Sequence, residues 1–357
     1  MSSVIDLMYD DASRNGVPIG GTFELTPLCN MNCRMCYIRM SRDEMEKQGR
    51  MLTAAQWLKL AEDAKNAGML FLLLTGGEPF LYPGFRELYT QLKKMGFFVS
   101  INSNGTLLEG ELLEWLIKDP PYRINITLYG ASDEAYRELC GYDGGYSKVS
   151  EAIRRLKEAG VYVKLNGTLT PFNRKEIPKC FTFAQENNVP IEIGTYMFPP
   201  MRRDDKSFCR LDASDAGKYS ARIDRLRYDD ETFSARADEI KKCLQNGSVS
   251  DMPAKFGCRA GRSSFWINWK GEMTPCGMLE AFRQDPLETG FDECWKRIKS
   301  NIDNCTALSG CVSCEKRDIC KVCPAIAYSE MGDFCKKPEY LCEYTESRIK
   351  EFLSLIP

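Results

Sequence analysis

Short apolar runs recur along the chain as far as Tyr196, each separated from the next by a helix-type pattern, and this rhythm limits the fold more than any other feature. The runs are Thr22–Leu25, Phe71–Thr75, Phe97–Asn102, Ile124–Leu128, Val161–Leu169 and Ile191–Tyr196. Their length and composition read as strands. Between them the punctuation is helical. Thr53-Ala54-Ala55-Gln56 is a capping box, and Gly68, Gly96 and Gly160 stand where helices should stop. Strict alternation of this kind predicts an α/β fold with a parallel sheet and right-handed crossovers. Six such units give a partial (βα)6 barrel, TIM-like but open on one side. Sites in these barrels lie at the C-terminal ends of the strands, which is where Cys29–Cys36, Gly76–Pro79, Asn102–Thr106 and Thr127–Gly130 fall.

The rhythm ends at Pro199. The stretch Pro199–Asp205 reads as a charged linker, and Ala213–Asn246 as one or two helices with a polar face. The predicted organisation is an N-terminal segment over 1–19, the barrel over 20–200, a helical linker over 201–250 and a cysteine-rich domain over 251–357. The 357 residues suffice for one large unit and a small one.

Cys29, Cys33 and Cys36 follow the first strand with C-x3-C-x2-C spacing. Three thiolates this close can converge on one metal centre, and thiolates select zinc, copper(I) or iron–sulfur clusters. Three ligands are one short of the four that a structural zinc or a cubane cluster takes. The alternative readings are three buried thiols, or three legs of a zinc site completed from downstream. The second strand, within Met69–Pro79, ends in Gly76-Gly77-Glu78-Pro79.

Composition narrows the chemistry. The chain holds 17 cysteines and no histidine. Without histidine there is no histidine-based triad or zinc site, and proton transfer must use Asp, Glu, Lys, Tyr, Cys or water. A net charge of −2 points to neither nucleic acid nor an anionic membrane, and pairs such as Arg202-Arg203 and Lys241-Lys242 read as solvated surface. No run approaches the length of a membrane span, and Met1–Gly16 lacks the plan of a secretory signal. A cytoplasmic protein is expected, so the cysteines are read as metal ligands rather than disulfides.

Cys29, Cys33 and Cys36 after one strand, with Gly76–Pro79 closing the next, resemble the signature of the radical S-adenosylmethionine (radical SAM) enzymes. The resemblance implies that the three cysteines hold a four-iron cluster whose open iron chelates SAM, and that Gly76, Gly77, Glu78 and Pro79 bind the SAM amino group. It implies a reductant such as flavodoxin or ferredoxin. It also implies that Asn102, Asn104, Thr127 and Asn166 line the SAM ribose and carboxylate, with adenine contacts from Ile193–Gly194. Turn chemistry alone explains Gly105. The family often has an aromatic residue before the third cysteine. Here that residue is Met35, and the aromatic Tyr37 follows instead, counted with the SAM-binding residues that the resemblance implies.

Eight cysteines lie from Cys294 to Cys342. Cys258 precedes a G-x4-C that ends at Cys276, and Ser264–Asn268 with Gly271–Thr274 reads as a hairpin turning at Trp269-Lys270-Gly271. Then come Cys311, Cys314, Cys320 and Cys323, with Cys335 and Cys342 behind. This pattern resembles the SPASM extension of radical SAM enzymes, which holds two auxiliary four-iron clusters. Carried over, the first takes Cys258, Cys276 and Cys323, with Cys294, Cys305, Cys335 or a substrate thiolate as candidate fourth ligand. The second takes Cys311, Cys314, Cys320 and Cys342, preferred over Cys335. The last short gap is x2 here, not the family's x3. The alternative is a zinc ribbon, since C-x2-C pairs are frequent zinc ligands. Among the isolated cysteines, Cys180 and Cys243 read as ordinary thiols, and Cys140 lies close to the expected mouth.

SPASM enzymes mostly act on peptides or proteins. The expected function is reductive cleavage of SAM to a 5′-deoxyadenosyl radical, hydrogen abstraction from a peptide residue, and formation of a thioether or carbon–carbon crosslink in a ribosomally made peptide. The 28 residues before Cys29 leave no room for a fused leader-binding domain, so a separate leader-binding protein or the barrel itself is expected to serve. A sulfatase-maturase-like reading is weakened by Gly277, where those enzymes carry an Asp base after the second auxiliary cysteine. A small-molecule dehydrogenase is a further alternative. A non-catalytic iron–sulfur or zinc module for electron transfer or binding is the alternative from another class, and Gly76–Pro79 argues against it.

Overall fold

A computed structural model describes residues 4–200, 209–246, 258–305, 308–320 and 322–356. The linker at 201–208, with Arg202-Arg203, and the expected boundary near 250 lie outside them. Helix α1 (Val4–Asn15) precedes β1 (Gly20–Glu24). Then follow α2 (Arg42–Gln48), α3 (Ala54–Asn66), β2 (Phe71–Thr75), α4 (Phe85–Lys94), β3 (Phe98–Ser103), α5 (Gly110–Lys118) and β4 (Arg123–Thr127). Helices α6 (Asp133–Cys140) and α7 (Gly145–Glu158) lead to β5 (Val163–Thr168), and α8 (Ile177–Glu186) to β6 (Ile191–Gly194). All six predicted strands form, Phe71–Thr75 with the predicted ends and the others with ends shifted by up to two residues.

The six strands pair in parallel in sequence order. Local chemistry explains why. Thr53 caps α3 in a reciprocal box with Gln56, and the amides of Gly68, Gly96 and Gly160 close the last turns of α3, α4 and α7 on Lys65, Lys93 and Lys157 carbonyls. Each helix turns an apolar stripe onto the sheet: Trp57, Leu60 and Ala61 from α3, Leu88, Tyr89 and Leu92 from α4, and Ile153 and Leu156 from α7 are all buried. Along β5, Val163 and Leu165 face these helices, so Lys164, Asn166 and Thr168 turn to the barrel interior.

The C-terminal region does not stand apart. Helices α9 (Ala213–Arg227) and α10 (Asp230–Asn246) precede strands β7 (Ser264–Ile267) and β8 (Met273–Thr274). The predicted hairpin exists as an antiparallel pair, but β7 also pairs in parallel with β1. The sheet therefore has eight strands in the order β6-β5-β4-β3-β2-β1-β7-β8. Gly21 permits this closeness, because a Cβ there would meet the Phe265 ring at 2.6 Å. Helices α11 (Pro286–Thr289) and α12 (Phe291–Asn304) cover that edge, and the Phe291 and Trp295 rings sit 5.1 and 6.3 Å from Phe265.

The remaining helices, α13 (Pro324–Met331) and α14 (Glu339–Ser354), serve the opposite edge. There α14 packs on α9, the hydroxyls of Thr195 and Tyr344 lie 2.6 Å apart, and Tyr196 donates to Glu330 at 2.6 Å. Among the described residues no helix is long and apolar enough to cross a membrane.

Phe265 is 2% exposed and joins the hairpin to the barrel core. Phe265→Ala should cost about 3–5 kcal/mol, as large-to-small core changes of this kind do, measured by urea unfolding. A loss below about 1 kcal/mol, the range of tolerated changes, would show that the hairpin is peripheral.

Candidate active site

The loops at the C-terminal ends of the strands enclose a cavity of about 300 Å³. The loop after β1 contributes Cys33, Cys36 and Tyr37; the segment closing β2 contributes Thr75, Gly76 and Gly77; β3 and its turn contribute Asn102, Ser103 and Asn104. Thr127 and Tyr129 come from β4, Thr168 from β5, Tyr196, Met197 and Phe198 from beyond β6, and Met278 from beyond the hairpin.

Backbone contacts hold the first two loops together. Gly77 N donates to Thr26 O at 2.7 Å and Glu78 N to Leu28 O at 2.9 Å. Only glycines allow this approach. Gly76 adopts a φ of 153°, and added Cβ atoms at Gly76 and Gly77 would lie 2.5 Å from Thr26 O and 2.4 Å from Leu28 O. The cysteine loop is also tied to α6, through Asn32 N to Cys140 O at 2.8 Å and Arg34 N to Leu139 O at 3.0 Å.

Glu78 is fully buried behind the cavity wall. Its carboxylate accepts from Ser103 Oγ at 3.0 and 3.1 Å, Asn104 N at 2.8 Å and Phe80 N at 3.2 Å. Burial raises its pKa from the ordinary 4.5 to about 7, against the lowering effect of these donors. Glu78 therefore fixes the turn after β3. Asn104 reaches from that turn to Asn30 Oδ1 at 2.9 Å and Cys29 Sγ at 3.6 Å.

Two of the three thiols meet amide donors. Met31 N points at Cys29 Sγ at 3.4 Å and Arg39 N at Cys36 Sγ at 3.2 Å. Burial pushes the Cys29 thiol up to about 12. The Cys33 thiol is raised by its hydrogen bond to Cys140 and then by burial. Both stay protonated at neutral pH until a metal displaces the proton. Among the described residues no three Cys, Asp or Glu side chains gather tightly enough for a single metal ion. Thiols, amides aimed at sulfur and a glycine cradle beside them fit a thiolate-held cluster with a small polar ligand next to it.

The other expected residues divide. Cys33, Cys36, Tyr37, Gly76, Gly77, Asn102, Asn104 and Thr127 line the cavity, while Cys29, Glu78, Pro79 and Asn166 do not. Asn166 pairs in register with Thr127, one inward step below Thr168, the β5 residue that does reach the cavity. Ile193–Gly194 also lies off the wall, and Tyr196–Phe198 takes that edge. The sequence reading did not single out Ser103, Tyr129, Thr168, Tyr196–Phe198 or Met278. Ser103 and Tyr129 lie inside Asn102–Thr106 and Thr127–Gly130, stretches already placed at this end of the barrel.

The late cysteines form three neighbourhoods. Cys342 on α14 feels the charges of Cys320, Cys311 and Cys314, and burial raises its thiol to about 11. Cys323 feels Cys258. Cys305 feels the exposed Cys335. Cys294 is buried in α12. A Cβ at Gly277 would stand 2.9 Å from the Trp266 ring, and the Trp266 indole donates to Glu24 Oε2 at 3.0 Å. An Asp at position 277 therefore has no room beside Trp266.

Residues 23–184 match the Radical SAM superfamily. Over 346 residues the chain is 26% identical to an AdoMet-dependent heme synthase of Methanosarcina barkeri, covering 90% of this chain and 95% of that one. It is 24% identical over 307 residues to the sporulation killing factor maturation protein SkfB of Bacillus subtilis, covering 82% of this chain and 69% of that one. Among solved structures, anSMEcpe with bound AdoMet superposes with a TM-score of 0.72 at 17% identity, covering 95% of this chain and 94% of that one. With a Kp18Cys peptide also bound, anSMEcpe gives 0.67 at 15% identity over 94% and 97%.

Glu78 makes the site pH-sensitive. Its folded pKa lies above its unfolded one, so its contribution to stability is fully present below about 4.5 and is lost as pH rises to about 7. The loss amounts to about 3 kcal/mol. In urea unfolding of the metal-free protein, the stability of wild type relative to Glu78→Gln should fall by that order between pH 4.5 and 7. A difference that stays flat with pH would contradict the buried carboxylate.

Proposed function

The chain belongs to the radical SAM superfamily, and on that premise we propose that it modifies a peptide by hydrogen abstraction, forming a thioether or carbon–carbon crosslink. When bound, a four-iron cluster and SAM supply a 5′-deoxyadenosyl radical through one-electron reduction. Cys29, Cys33 and Cys36 would hold that cluster, and the Gly76–Gly77 cradle would take the SAM amino group. Asn102, Ser103, Asn104 and Thr127 would orient the remaining polar groups. Cys311, Cys314, Cys320 and Cys342 would hold one auxiliary cluster. Cys258, Cys276 and Cys323 would hold the other, with its fourth ligand supplied by another cysteine or by substrate. An electron donor of the flavodoxin or ferredoxin class and a separate leader-binding protein belong to the same proposal.

The size and lining of the cavity carry the peptide reading. A volume near 300 Å³ lies at the low end for ligand sites, about what a SAM-sized ligand would fill by itself, so a substrate would present its reacting part at the mouth. Its lining includes the apolar side chains of Met35, Met197, Phe198 and Met278. These residues would exclude water from the reacting carbon and let an extended chain present a single residue. With no histidine in the chain and Gly277 wedged against Trp266, a substrate thiol bound to the open auxiliary site would need no base, because the metal already deprotonates it. SkfB is named as the maturation protein of a sporulation killing factor, which agrees with this reading. The second reading is heme-synthase-type chemistry on a tetrapyrrole, favoured by the end-to-end match to the Methanosarcina barkeri protein.

Mass spectrometry of a co-expressed precursor peptide tests the proposal. Thioether formation should lower the mass by about two units, the two hydrogens lost, and should consume one alkylatable thiol. The same loss with every thiol free would indicate a carbon–carbon link. If no peptide stimulates 5′-deoxyadenosine formation while a carboxylated tetrapyrrole does, the peptide reading fails and the second replaces it. The reconstituted protein should hold about twelve irons if all three sites carry four-iron clusters. About four irons with stoichiometric zinc would overturn the auxiliary assignment.

A further inference from the structure

A second cavity, of about 460 Å³, lies at the end of the barrel opposite the cysteine loop. Residues near the strand starts line it, among them Gly20, Thr22, Phe71, Ser100 and Arg123. Helix α1 adds Asp6 and Tyr9, and the segment before β7 adds Arg259. This end of a βα barrel ordinarily serves stability rather than ligand binding, and the interior is filled by layers of bulky side chains. Here Gly20, Thr22 and Ser100 are too small to fill their share of the layer. Gly20 also admits Tyr9, whose hydroxyl would stand 2.5 Å from a Cβ at that position.

Strand β4 runs past both cavities. Arg123, Asn125 and Thr127 alternate on one of its faces; Thr127 lines the upper cavity and Arg123 the lower. Between them Asn125 donates to Asn102 Oδ1 at 2.7 Å. Arg123 is the unusual member of the row. Its Nε is buried and has no hydrogen-bond partner among the described residues. An unpaired buried donor on a charged group carries a large desolvation penalty, so the cavity beside it is where a partner belongs. The other cations nearby are already engaged. The Arg259 guanidinium lies 3.9 Å over the Tyr9 ring and donates to Asp6 at 2.8 Å. Lys164, on the adjoining strand, pairs with Glu192 at 2.6 Å.

The walls around Arg123 are aromatic. Tyr9 stacks on Phe71 at 5.5 Å, and Tyr122 meets Phe71 at 6.3 Å. Tyr122 and Tyr162 line the cavity yet stay 39% and 51% exposed, so ring surface is left uncovered beside the orphaned cation. Apolar walls with a few placed polar groups are the composition of a small-molecule site. A guanidinium pairs in two-pronged fashion with a carboxylate or a phosphate. We propose that this lower cavity binds a small oxyanion, carboxylate or phosphate, carried on an aromatic ring. Arg123 pairs with the oxyanion, and Tyr9, Tyr122 and Tyr162 pack against the ring. The site is separate from the cavity at the cysteine loop and does not depend on what the cysteines hold.

The test is titration calorimetry of the full chain, reconstituted anaerobically with iron and sulfide, using benzoate, phenyl phosphate and inorganic phosphate as probes. Benzoate or phenyl phosphate should bind wild type at one site per chain, and whichever binds more tightly tells a carboxylate ligand from a phosphate one. Arg123→Met should weaken that binding by about tenfold or more, the scale of a lost charge-assisted hydrogen bond. Arg123→Lys, which keeps the charge and loses the planar fork, should fall between the two. Saturating SAM should leave the affinity unchanged. Tyr162→Ala alters a half-exposed side chain, so it reads the site even if Arg123→Met does not fold, and it too should bind more weakly. No heat with either aromatic probe overturns the proposal, because water then satisfies Arg123. Wild-type affinity in Arg123→Met, or in Tyr162→Ala where Arg123→Met is unfolded, overturns it as adventitious binding. Displacement of the probe by SAM overturns it by placing the probe in the upper cavity. Inorganic phosphate binding as tightly as phenyl phosphate overturns the role given to the rings.

Discussion

The buried carboxylate of Glu78 is the contact on which the rest of the site depends. It sits where the second strand ends, out of reach of solvent, and gathers donors from its own segment and from the turn after the third strand. Burying a charge this way costs several kcal/mol unless donors compensate. The donors here are the groups that must be held still. Ser103 and Asn104 line the cavity, and Asn104 passes the constraint on to Asn30 and Cys29. The glycine pair beside Glu78 lets two loops approach to contact distance. One ionisable residue and two missing Cβ atoms thereby set the relative position of the cysteine loop and the wall opposite it.

A second constraint comes from the C-terminal region, which clasps the open barrel at both edges. On one side the hairpin extends the sheet beyond β1 and is followed by Met278, which lines the cavity. On the other, Tyr196 reaches Glu330, which Arg210 also contacts at 2.6 Å. Glu330 and Arg210 are largely shielded, their side chains 9% and 18% exposed, so this pair is screened less than a surface ion pair. Tyr196 lines the cavity, and a contact between the two parts of the chain thereby sets part of the mouth.

Much of this was legible in the sequence because it is written in local patterns. The strand rhythm, the Thr53 capping box, the helix-ending glycines and the cysteine spacing each need only a few adjacent residues. What was not legible depends on pairings across long separations. Nothing near Ser264 announces that it will pair with Gly20; the hairpin was foreseen, and its place in the barrel sheet was not. Asn166 and Thr168 share a face by the two-residue period, and which of them reaches the cavity depends on height along the barrel. The Glu78 carboxylate was read as part of a ligand-binding motif, although its partners are Ser103 and Asn104. Tyr129 lies inside Thr127–Gly130, and nothing in the local pattern distinguishes it as the residue of that stretch that joins Thr127 in the cavity lining.

We propose that this protein cleaves SAM at the loop holding Cys29, Cys33 and Cys36. The most direct measurement is 5′-deoxyadenosine formation by the reconstituted protein under dithionite, compared with a variant in which all three cysteines are replaced by Ala, with iron determined on the same samples. The variant should form no 5′-deoxyadenosine yet keep the iron of the proposed C-terminal sites, about two thirds of the total if each cluster holds four irons. Formation of 5′-deoxyadenosine by the triple variant at the wild-type rate would contradict it.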